Sequence, residues 1–260
     1  MAQDTTQDFE DAIRYPWTGD RNVERIAIGG LLGMFGFLFV PILFVYGYNL
    51  RVLRNVMAGE TETAPAFDDW GALLGDGLSA FVIGAVYFGV PFLLVAVGWI
   101  ASFFAFFAGA GIGGDGAASA GALLGFFGLF VVQLLAGVLF LVAGYLLPGA
   151  VAAYVRTDTL GAAFSPSTVR TIVTNRDYAI AWLFAFAINM LAGLATNVAM
   201  VTIVGILFVP FISFYGQVAC TYAIGRGSRR FRSTVTATKS GPRTSPRPER
   251  CYSAGSSQQS

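Results

Sequence analysis

Charge-free apolar runs alternate with polar stretches along most of the chain. Four such runs, at residues 26–50, 77–114, 116–155 and 178–225, are long enough to form membrane-spanning helices, which need about 20 residues each. The last run is too long for one helix and predicts a hairpin that turns near Asn197, a good turn former. The pattern therefore predicts an all-α, polytopic transmembrane helical bundle with about five spans, at about 26–50, 78–107, 121–147, 178–197 and 202–224.

Two polar segments flank this transmembrane domain of residues 26–225. Residues 1–25 carry Phe9, Ile13 and Trp17 at four-residue spacing, which fits either a short interfacial helix or a loosely ordered tail with aromatic anchors. Residues 226–260 are rich in Arg, Ser, Thr and Pro, and we expect a disordered basic tail because they have too little apolar surface to fold. The glycine-rich residues 109–120 predict a tight connection between two spans.

The pattern also repeats within the chain, which predicts helix–loop–helix units of one design. At a spacing of 97 positions, Gly47-Tyr48 aligns with Gly144-Tyr145, Ala66-Phe67 with Ala163-Phe164, and Phe81 with Tyr178. At a spacing of 169 positions, Phe39-Val40-Pro41 aligns with Phe208-Val209-Pro210. Pro41, Pro91 and Pro210 each fall in the middle of a predicted span, where proline removes a backbone hydrogen bond, so we expect them to kink their helices.

Composition excludes most enzyme chemistry. The chain is 55% hydrophobic and only 12% charged, about half of what a soluble domain carries. It has no histidine, the commonest general base and metal ligand, and its two cysteines do not form a ligand cluster. Residues 109–114 fit G-x-G-x-x-G literally, but they lie between membrane helices and not in a βαβ unit. We therefore predict that the protein is not an enzyme and uses no cofactor or metal.

The distribution of arginine and lysine predicts orientation, because basic loops stay in the cytoplasm. With five spans, the side that carries the 51–77 loop, the 156–177 loop and the tail holds 13 basic residues, and the other side holds 3. This predicts a multi-pass protein of the cell membrane with a cytoplasmic C-terminus and an external N-terminus. If one run instead folds as a re-entrant pair, the N-terminus moves inside. The expected anchors at the membrane surface are Arg51, Arg54, Trp70, Arg226, Arg229 and Arg230.

The predicted spans contain polar residues but no charged ones. Gln133, Asn189 and Gln217 either line a polar cavity between helices or, as is commoner, form hydrogen bonds from helix to helix. Outside the spans, the adjacent acids of Asp68-Asp69-Trp70 fit a solvated loop with an interfacial tryptophan better than a weak cation site. The basic tail fits anionic lipid headgroups better than nucleic acid, so no nucleic-acid partner is expected.

Several motifs in order resemble the archaeal membrane family known as domain-of-unknown-function family 4013, which is common in haloarchaea. The resemblance rests on Ala12-Ile13-Arg14-Tyr15-Pro16, the Gly-Tyr-x-x-Arg-x-x-Arg stretch from Gly47 to Arg54, Gly59, and Pro65-Ala66-Phe67-Asp68-Asp69-Trp70, and it covers about residues 8–226. It implies an integral membrane protein with cytoplasmic loops. It implies no catalytic or ligand-binding residue.

These observations favour a non-enzymatic membrane component that organises partners or lipids through its helix faces and loops. The alternative is a permease-like protein that passes a neutral or apolar solute between the repeats, which the paired prolines and the three polar residues motivate. The expected partners are membrane lipids, with a membrane protein or a second copy of the chain as further candidates.

Overall fold

The computed structural model describes residues 2–112 and 115–239, with side chains described for residues 7–105, 107–108, 121–202 and 204–229. Helices form most of this part of the chain and no strand occurs in it, so the predicted all-α class is confirmed. The helices are α1 (Ala2–Arg14), α2 (Asn22–Met34), α3 (Val40–Ala58), α4 (Trp70–Ile112), α5 (Asp115–Thr157), α6 (Leu160–Ala163), α7 (Pro166–Val173), α8 (Arg176–Ala199) and α9 (Ile203–Lys239).

Four of the described helices, α4, α5, α8 and α9, are long and apolar enough to cross a membrane. They form two hairpins, α4 with α5 and α8 with α9. Most of their apolar surface is not covered by protein, so they need hydrocarbon around them. The predicted α8–α9 hairpin is present, but its turn lies at residues 200–202, a few residues beyond Asn197, which is itself still helical.

The region predicted as the first span is the exception, since it contains two helices that run in opposite directions. Along α2, Gly29 lies against Phe214 and Gly33 lies against Pro210, so α2 is antiparallel to α9. Along α3, Tyr48 contacts Phe214 and Val56 contacts Gly225, so α3 is parallel to α9. The prediction of one continuous helix over residues 26–50 is therefore wrong. Residues 22–58 form a re-entrant hairpin instead.

The backbone at the tip of this hairpin explains why residues 26–50 do not form one continuous helix. A 3₁₀ turn at Gly36–Leu38 leads to Phe39, whose φ of 67° is a left-handed conformation that ends helical geometry. Pro41 follows in the first turn of α3, where its missing N–H would have no helical partner anyway. The predicted kink at Pro41 is therefore wrong: this proline starts a helix. Pro91 and Pro210 do lie inside helices, in α4 and α9.

One end of the bundle carries nearly all of the described charges, and we call it the charged end. It comprises residues 2–25, the end of α3 from Arg51, the 59–69 loop, the start of α4 up to Asp76, the end of α5 from Arg156, α6 and α7, the start of α8, and the part of α9 near Arg226 and Arg229. Arg226 pairs with Asp8 and Asp11 of α1, at 3.3 and 2.5 Å. The prediction that the N-terminal segment lies on the opposite side from the Arg226 end of α9 is therefore wrong. The alternative with a re-entrant pair describes this arrangement.

The N-terminal segment and the tail also differ from expectation. Residues 2–14 form a regular helix, which agrees with the helical part of the interfacial-helix alternative and not with a loosely ordered tail. Helix α9 continues to Lys239, which differs from the disorder that the composition predicts for residues 226–239. Residues 240–260 lie outside the described residues. The predicted connection at 109–120 is mostly helical, with residues 113–114 between α4 and α5 also outside the described part.

Candidate functional site

A groove of about 860 Å³ separates the two hairpins, and α3 forms its third wall. This volume is in the range of ordinary ligand sites, about 300–1,000 Å³. We call it the central groove. It is lined by Tyr46, Asn49, Leu50 and Leu53 of α3; Ala80, Phe81, Gly84, Ala85, Phe88, Gly89 and Phe92 of α4; Phe140, Leu141, Gly144, Leu147, Pro148 and Val151 of α5; Trp182, Ala185, Phe186 and Asn189 of α8; and Gln217, Cys220, Thr221 and Ile224 of α9.

Contacts near the charged end join the two hairpins and close the groove on that side. The indole N–H of Trp182 donates a hydrogen bond to the Gly144 carbonyl at 2.9 Å, and the Tyr178 hydroxyl donates to the Tyr145 carbonyl at 2.5 Å. These bonds join α8 to α5. Farther along, Phe186 and Asn189 form one wall, while residues of α4 and α5 form the other, so the hairpins diverge there.

The groove opens sideways toward the surroundings of the bundle. Three of its lining side chains, Phe186, Leu141 and Phe92, keep 41%, 57% and 62% of their surface exposed. The backbone at Gly84 and Gly89 leaves open space where a Cβ would be. The lining residues are therefore accessible from the side of the bundle and not only from the charged end.

A small polar cluster lies on the α9 wall of this otherwise apolar groove. The Thr221 hydroxyl lies 3.1 Å from the Asn49 side-chain oxygen, and the Asn49 amide nitrogen lies 3.5 Å from the Gln217 side-chain oxygen. Asn49 also donates to the Val45 carbonyl at 2.9 Å. We call Asn49, Asn189, Gln217 and Thr221 the polar cluster.

Asn189 belongs to the cluster because of the register of the α8–α9 hairpin. The Cys220 thiol donates to the Ala185 carbonyl at 3.1 Å, and Ala192 lies against Gly216. In an antiparallel pair, these two contacts place Asn189 at the level of Gln217. Both residues also line the groove.

Two of the three polar residues predicted as cavity lining therefore lie in the groove, and one does not. Asn189 and Gln217 line it, whereas Gln133 is exposed on α5 and is not part of the lining. Asn49 and Thr221 are not among the polar residues that the sequence predicts as cavity lining. The spacing of four between Gln217 and Thr221 was an available signal, because residues four apart share one helix face.

The predicted surface anchors on α3 and α4 are tied into the charged end. Arg51 pairs with the Asp68 carboxylate and donates to the Asp68 carbonyl at 2.9 Å. Arg54 pairs with Asp76 at 2.5 Å and with Asp158 at 3.1 Å. Partial burial acts against the charged form of Arg54, but the Asp76 hydrogen bond and the two carboxylates outweigh it and raise its pKa. Trp70 begins α4 and packs edge-on against Phe44.

The acids beside Trp70 have structural partners. The Asp69 carboxylate accepts a hydrogen bond from the Ala72 N–H at 3.1 Å, which caps α4, while Asp68 is engaged by Arg51. The two carboxylates therefore serve different contacts. This placement favours the solvated-loop interpretation of the Asp68-Asp69-Trp70 stretch over a cation site.

The anchors on α9 also lie at the charged end. Arg226 forms ion pairs with α1, and Arg229 lies beside Gly59 at the end of α3. Arg230 lies within α9, and its side chain is outside the described set. A second cavity, of only about 80 Å³, lies where Arg226 faces Asp8 and Asp177. It has room for only a few waters, at about 30 Å³ each, so the central groove remains the better candidate site.

The comparisons with known proteins identify a family without an assigned activity. No curated protein and no solved structure matches the chain. A family model described as "Protein of unknown function (DUF4013)" matches residues 31–208. This match is shorter than the resemblance over residues 8–226 and omits the motif at residues 12–16. It includes α3, α4, α5 and α8, and therefore most of the groove wall. Since it covers more than half of the sequence, the chain belongs to the DUF4013 family.

Proposed function

We propose that the protein is a non-enzymatic component of the cell membrane that takes one long apolar molecule from the bilayer into its central groove. It organises membrane lipids by holding such a molecule apart from the bulk bilayer. The observation that carries this proposal is the groove itself, with its volume of about 860 Å³ and its sideways opening.

The chemistry of the walls supports an apolar occupant. Aromatic and aliphatic side chains make up most of the lining, and burying apolar surface stabilises a complex by about 25 cal/mol per Å² relative to water. In a bilayer the gain is smaller, because lipid tails already surround the free molecule. Affinity must then come from close packing and from the polar cluster, which makes binding selective for molecules that fit both.

The charged end supplies the orientation that we propose for the protein. Every arginine from Arg14 to Arg229 lies in the segments that form this end. Under the positive-inside rule this end faces the cytoplasm, together with α1 and the Arg226 part of α9. The sideways opening of the groove then lies within the bilayer and not in either aqueous phase.

Groove-filling substitutions test this proposal. The variant with Gly84→Leu and Gly89→Leu adds two side chains to the groove at positions where the backbone leaves space for them. Gly137→Leu is the matched control, since Gly137 on α5 also has open space but does not line the groove. The full-length protein is purified in mild detergent, and retained small molecules are measured by native mass spectrometry.

We expect a retained species on the natural protein and on the control, and its loss from the groove-filled variant. A natural protein that carries no retained molecule, even after incubation with total membrane lipid extract, overturns the proposal. The same spectra report the mass of the protein assembly. They thereby test the prediction of a membrane-protein partner or a homo-oligomer.

The permease alternative has less support. Its predicted polar path consists of Gln133, Asn189 and Gln217, but Gln133 lies outside the groove. Of its two matched prolines, Pro41 starts α3 whereas Pro210 lies inside α9, so the pair does not mark two equivalent helix breaks.

A further inference from the structure

The walls of the central groove carry no charge. Its lining residues include no Asp, Glu, Lys or Arg, and its polar side chains are the amides and the hydroxyl of the polar cluster with the polar ends of Tyr46, Trp182 and Cys220. A charged group placed there would have no counter-ion. A buried charge without a partner is costly, so the lining excludes a phosphate or an ammonium.

The depth of the polar cluster strengthens this exclusion. Gln217 lies nine residues from Arg226 along α9, which is about 14 Å, and Asn189 lies twelve residues from Asp177 along α8, which is about 18 Å. The hydrocarbon core is about 30 Å thick, so both amides lie near its middle when the charged end marks the headgroup level. A phospholipid that reached this depth with its headgroup would have to carry its phosphate there.

The hydrogen-bond inventory of the cluster indicates what the ligand supplies. The Thr221 hydroxyl and the Asn49 amide have partners within the protein. The side-chain N–H groups of Gln217 and the side chain of Asn189 make no hydrogen bond within the described residues. An N–H group in apolar surroundings that lacks an acceptor is costly. A ligand oxygen that accepts hydrogen bonds would remove this cost.

The apolar part of the groove continues beyond the cluster. Phe92 and Phe140 each lie sixteen residues from the nearest charged residue of their helix, Asp76 and Arg156, which is about 24 Å. Their rings pack edge-on at 5.1 Å and line the groove. A chain attached to the oxygen-bearing head therefore has an apolar path toward the far ends of the hairpins.

We propose that the ligand is a long-chain molecule with an uncharged carbonyl head, such as a quinone or a ketone, whose oxygen accepts hydrogen bonds from Gln217 and Asn189. This inference rests on the proposed function and names the class of molecule that the groove holds. The carbonyl supplies the acceptor that the two amides lack. Its lack of charge allows it to reside at the middle of the bilayer.

The test uses a quinone with a ten-carbon chain as the probe and the full chain in lipid nanodiscs. Quinones quench tryptophan fluorescence, and Trp182 lines the groove, so saturable quenching reports binding. The variants are Gln217→Leu and Asn189→Leu, with Gln133→Leu as the matched control because Gln133 lies outside the groove. Loss of one hydrogen bond of about 1.4 kcal/mol corresponds to about a tenfold loss of affinity.

We expect each of the two groove variants to bind the quinone about tenfold more weakly and the control to bind it like the natural protein. An unchanged affinity in Gln217→Leu and Asn189→Leu overturns the inference. So does displacement of the quinone by phosphatidylglycerol at equal concentration, because it would show that the groove accepts a charged head.

The groove-filled variant separates this failure from failure of the proposed function. If Gly84→Leu with Gly89→Leu abolishes quenching while the amide variants have no effect, the groove binds apolar molecules but does not select a carbonyl. If no variant changes quenching and none retains a molecule, the groove is not a binding site.

Discussion

Gly47 of α3 and Gly77 of α4 face each other where the two helices cross, and neither position has room for a side chain. A Cβ on Gly47 would overlap the Leu73 carbonyl, and a Cβ on Gly77 would overlap the Leu43 carbonyl. The two backbones therefore touch directly, as they do at small-residue contacts in membrane bundles. This contact fixes α3, and with it Asn49, against the α4–α5 hairpin.

We expect Gly77→Ala to destabilise the protein by about 1–3 kcal/mol, because the added methyl group forces the helices apart. Gly75→Ala is the control. Gly75 lies two residues away in the same helix and has open space, and alanine favours helix over glycine by about 1 kcal/mol. Thermal unfolding in detergent measures both variants. Equal unfolding temperatures for the two would show that the α3–α4 crossing does not depend on close backbone contact.

Replacing tyrosine by phenylalanine should affect stability differently at Tyr15 and at Tyr48. Both are almost fully buried, but the Tyr15 hydroxyl has no hydrogen-bond partner among the described residues, whereas the Tyr48 hydroxyl donates to the Pro65 carbonyl at 3.0 Å. Tyr15→Phe removes an unsatisfied polar atom and should leave stability unchanged or raise it by up to about 1 kcal/mol. Tyr48→Phe leaves a carbonyl without its donor and should cost about 1 kcal/mol. Denaturant unfolding of both variants tests the pair, and a larger loss for Tyr15→Phe would contradict the assignment.

Alkaline pH provides a second test of Tyr15. Burial, followed by the neighbouring Tyr222, raises the pKa of Tyr15 from 10.0 to about 12. Because the folded-state pKa is the higher one, the unfolded state loses its proton first, and the stability that Tyr15 contributes is lost as pH rises from 10 toward 12. The advantage of Tyr15→Phe over the natural protein should therefore grow across this window. An advantage that is constant from pH 8 to pH 12 would be inconsistent with a buried hydroxyl.

The re-entrant hairpin predicts a specific pattern of labelling. In a background with Cys220→Ala and Cys251→Ser, single cysteines are placed by Gln7→Cys in α1, Thr159→Cys before α6 and Thr202→Cys in the α8–α9 turn. A membrane-impermeant maleimide should label the first two from the same side and the third from the other. Phe37→Cys, at the tip of the hairpin about 20 Å from Arg25, should be labelled from neither side. Labelling of Gln7→Cys and Thr202→Cys from the same side would restore a continuous first span.

Hydropathy is sufficient to predict most of the helices, because a long apolar segment in hydrocarbon satisfies its backbone hydrogen bonds by forming a helix. It could not distinguish a single crossing at residues 26–50 from two short helices, since both cover the same apolar residues. The distinguishing features are local: the left-handed Phe39 and Pro41 in the first turn of a helix. A proline in the middle of an apolar run, such as Pro41, predicts a helix kink, but proline is also common in the first turn of a helix.

The candidate site was predictable only in part, for a related reason. Helices that are apolar on all sides give no sign of which face meets protein and which meets lipid. Gln133 and Gln217 therefore looked equivalent in the sequence, yet only Gln217 lies in the groove. Asn49 contributes to the site because α3 is one arm of a hairpin and passes beside α9, which depends on tertiary packing.

The placement of nearly all charge at one end affects how the chain enters the membrane during synthesis. In the proposed orientation, the parts of the described chain that reach the far side are the adjoining ends of α4 and α5 and the turn at residues 200–202, while the tip near Phe37 stops within the hydrocarbon. Each hairpin can thus insert as a closed pair of helices while its arginines stay at the membrane surface on the side of the ribosome. Among the residues that the structure describes, Asp115 at the start of α5 is the one charged residue that this orientation carries to the far side.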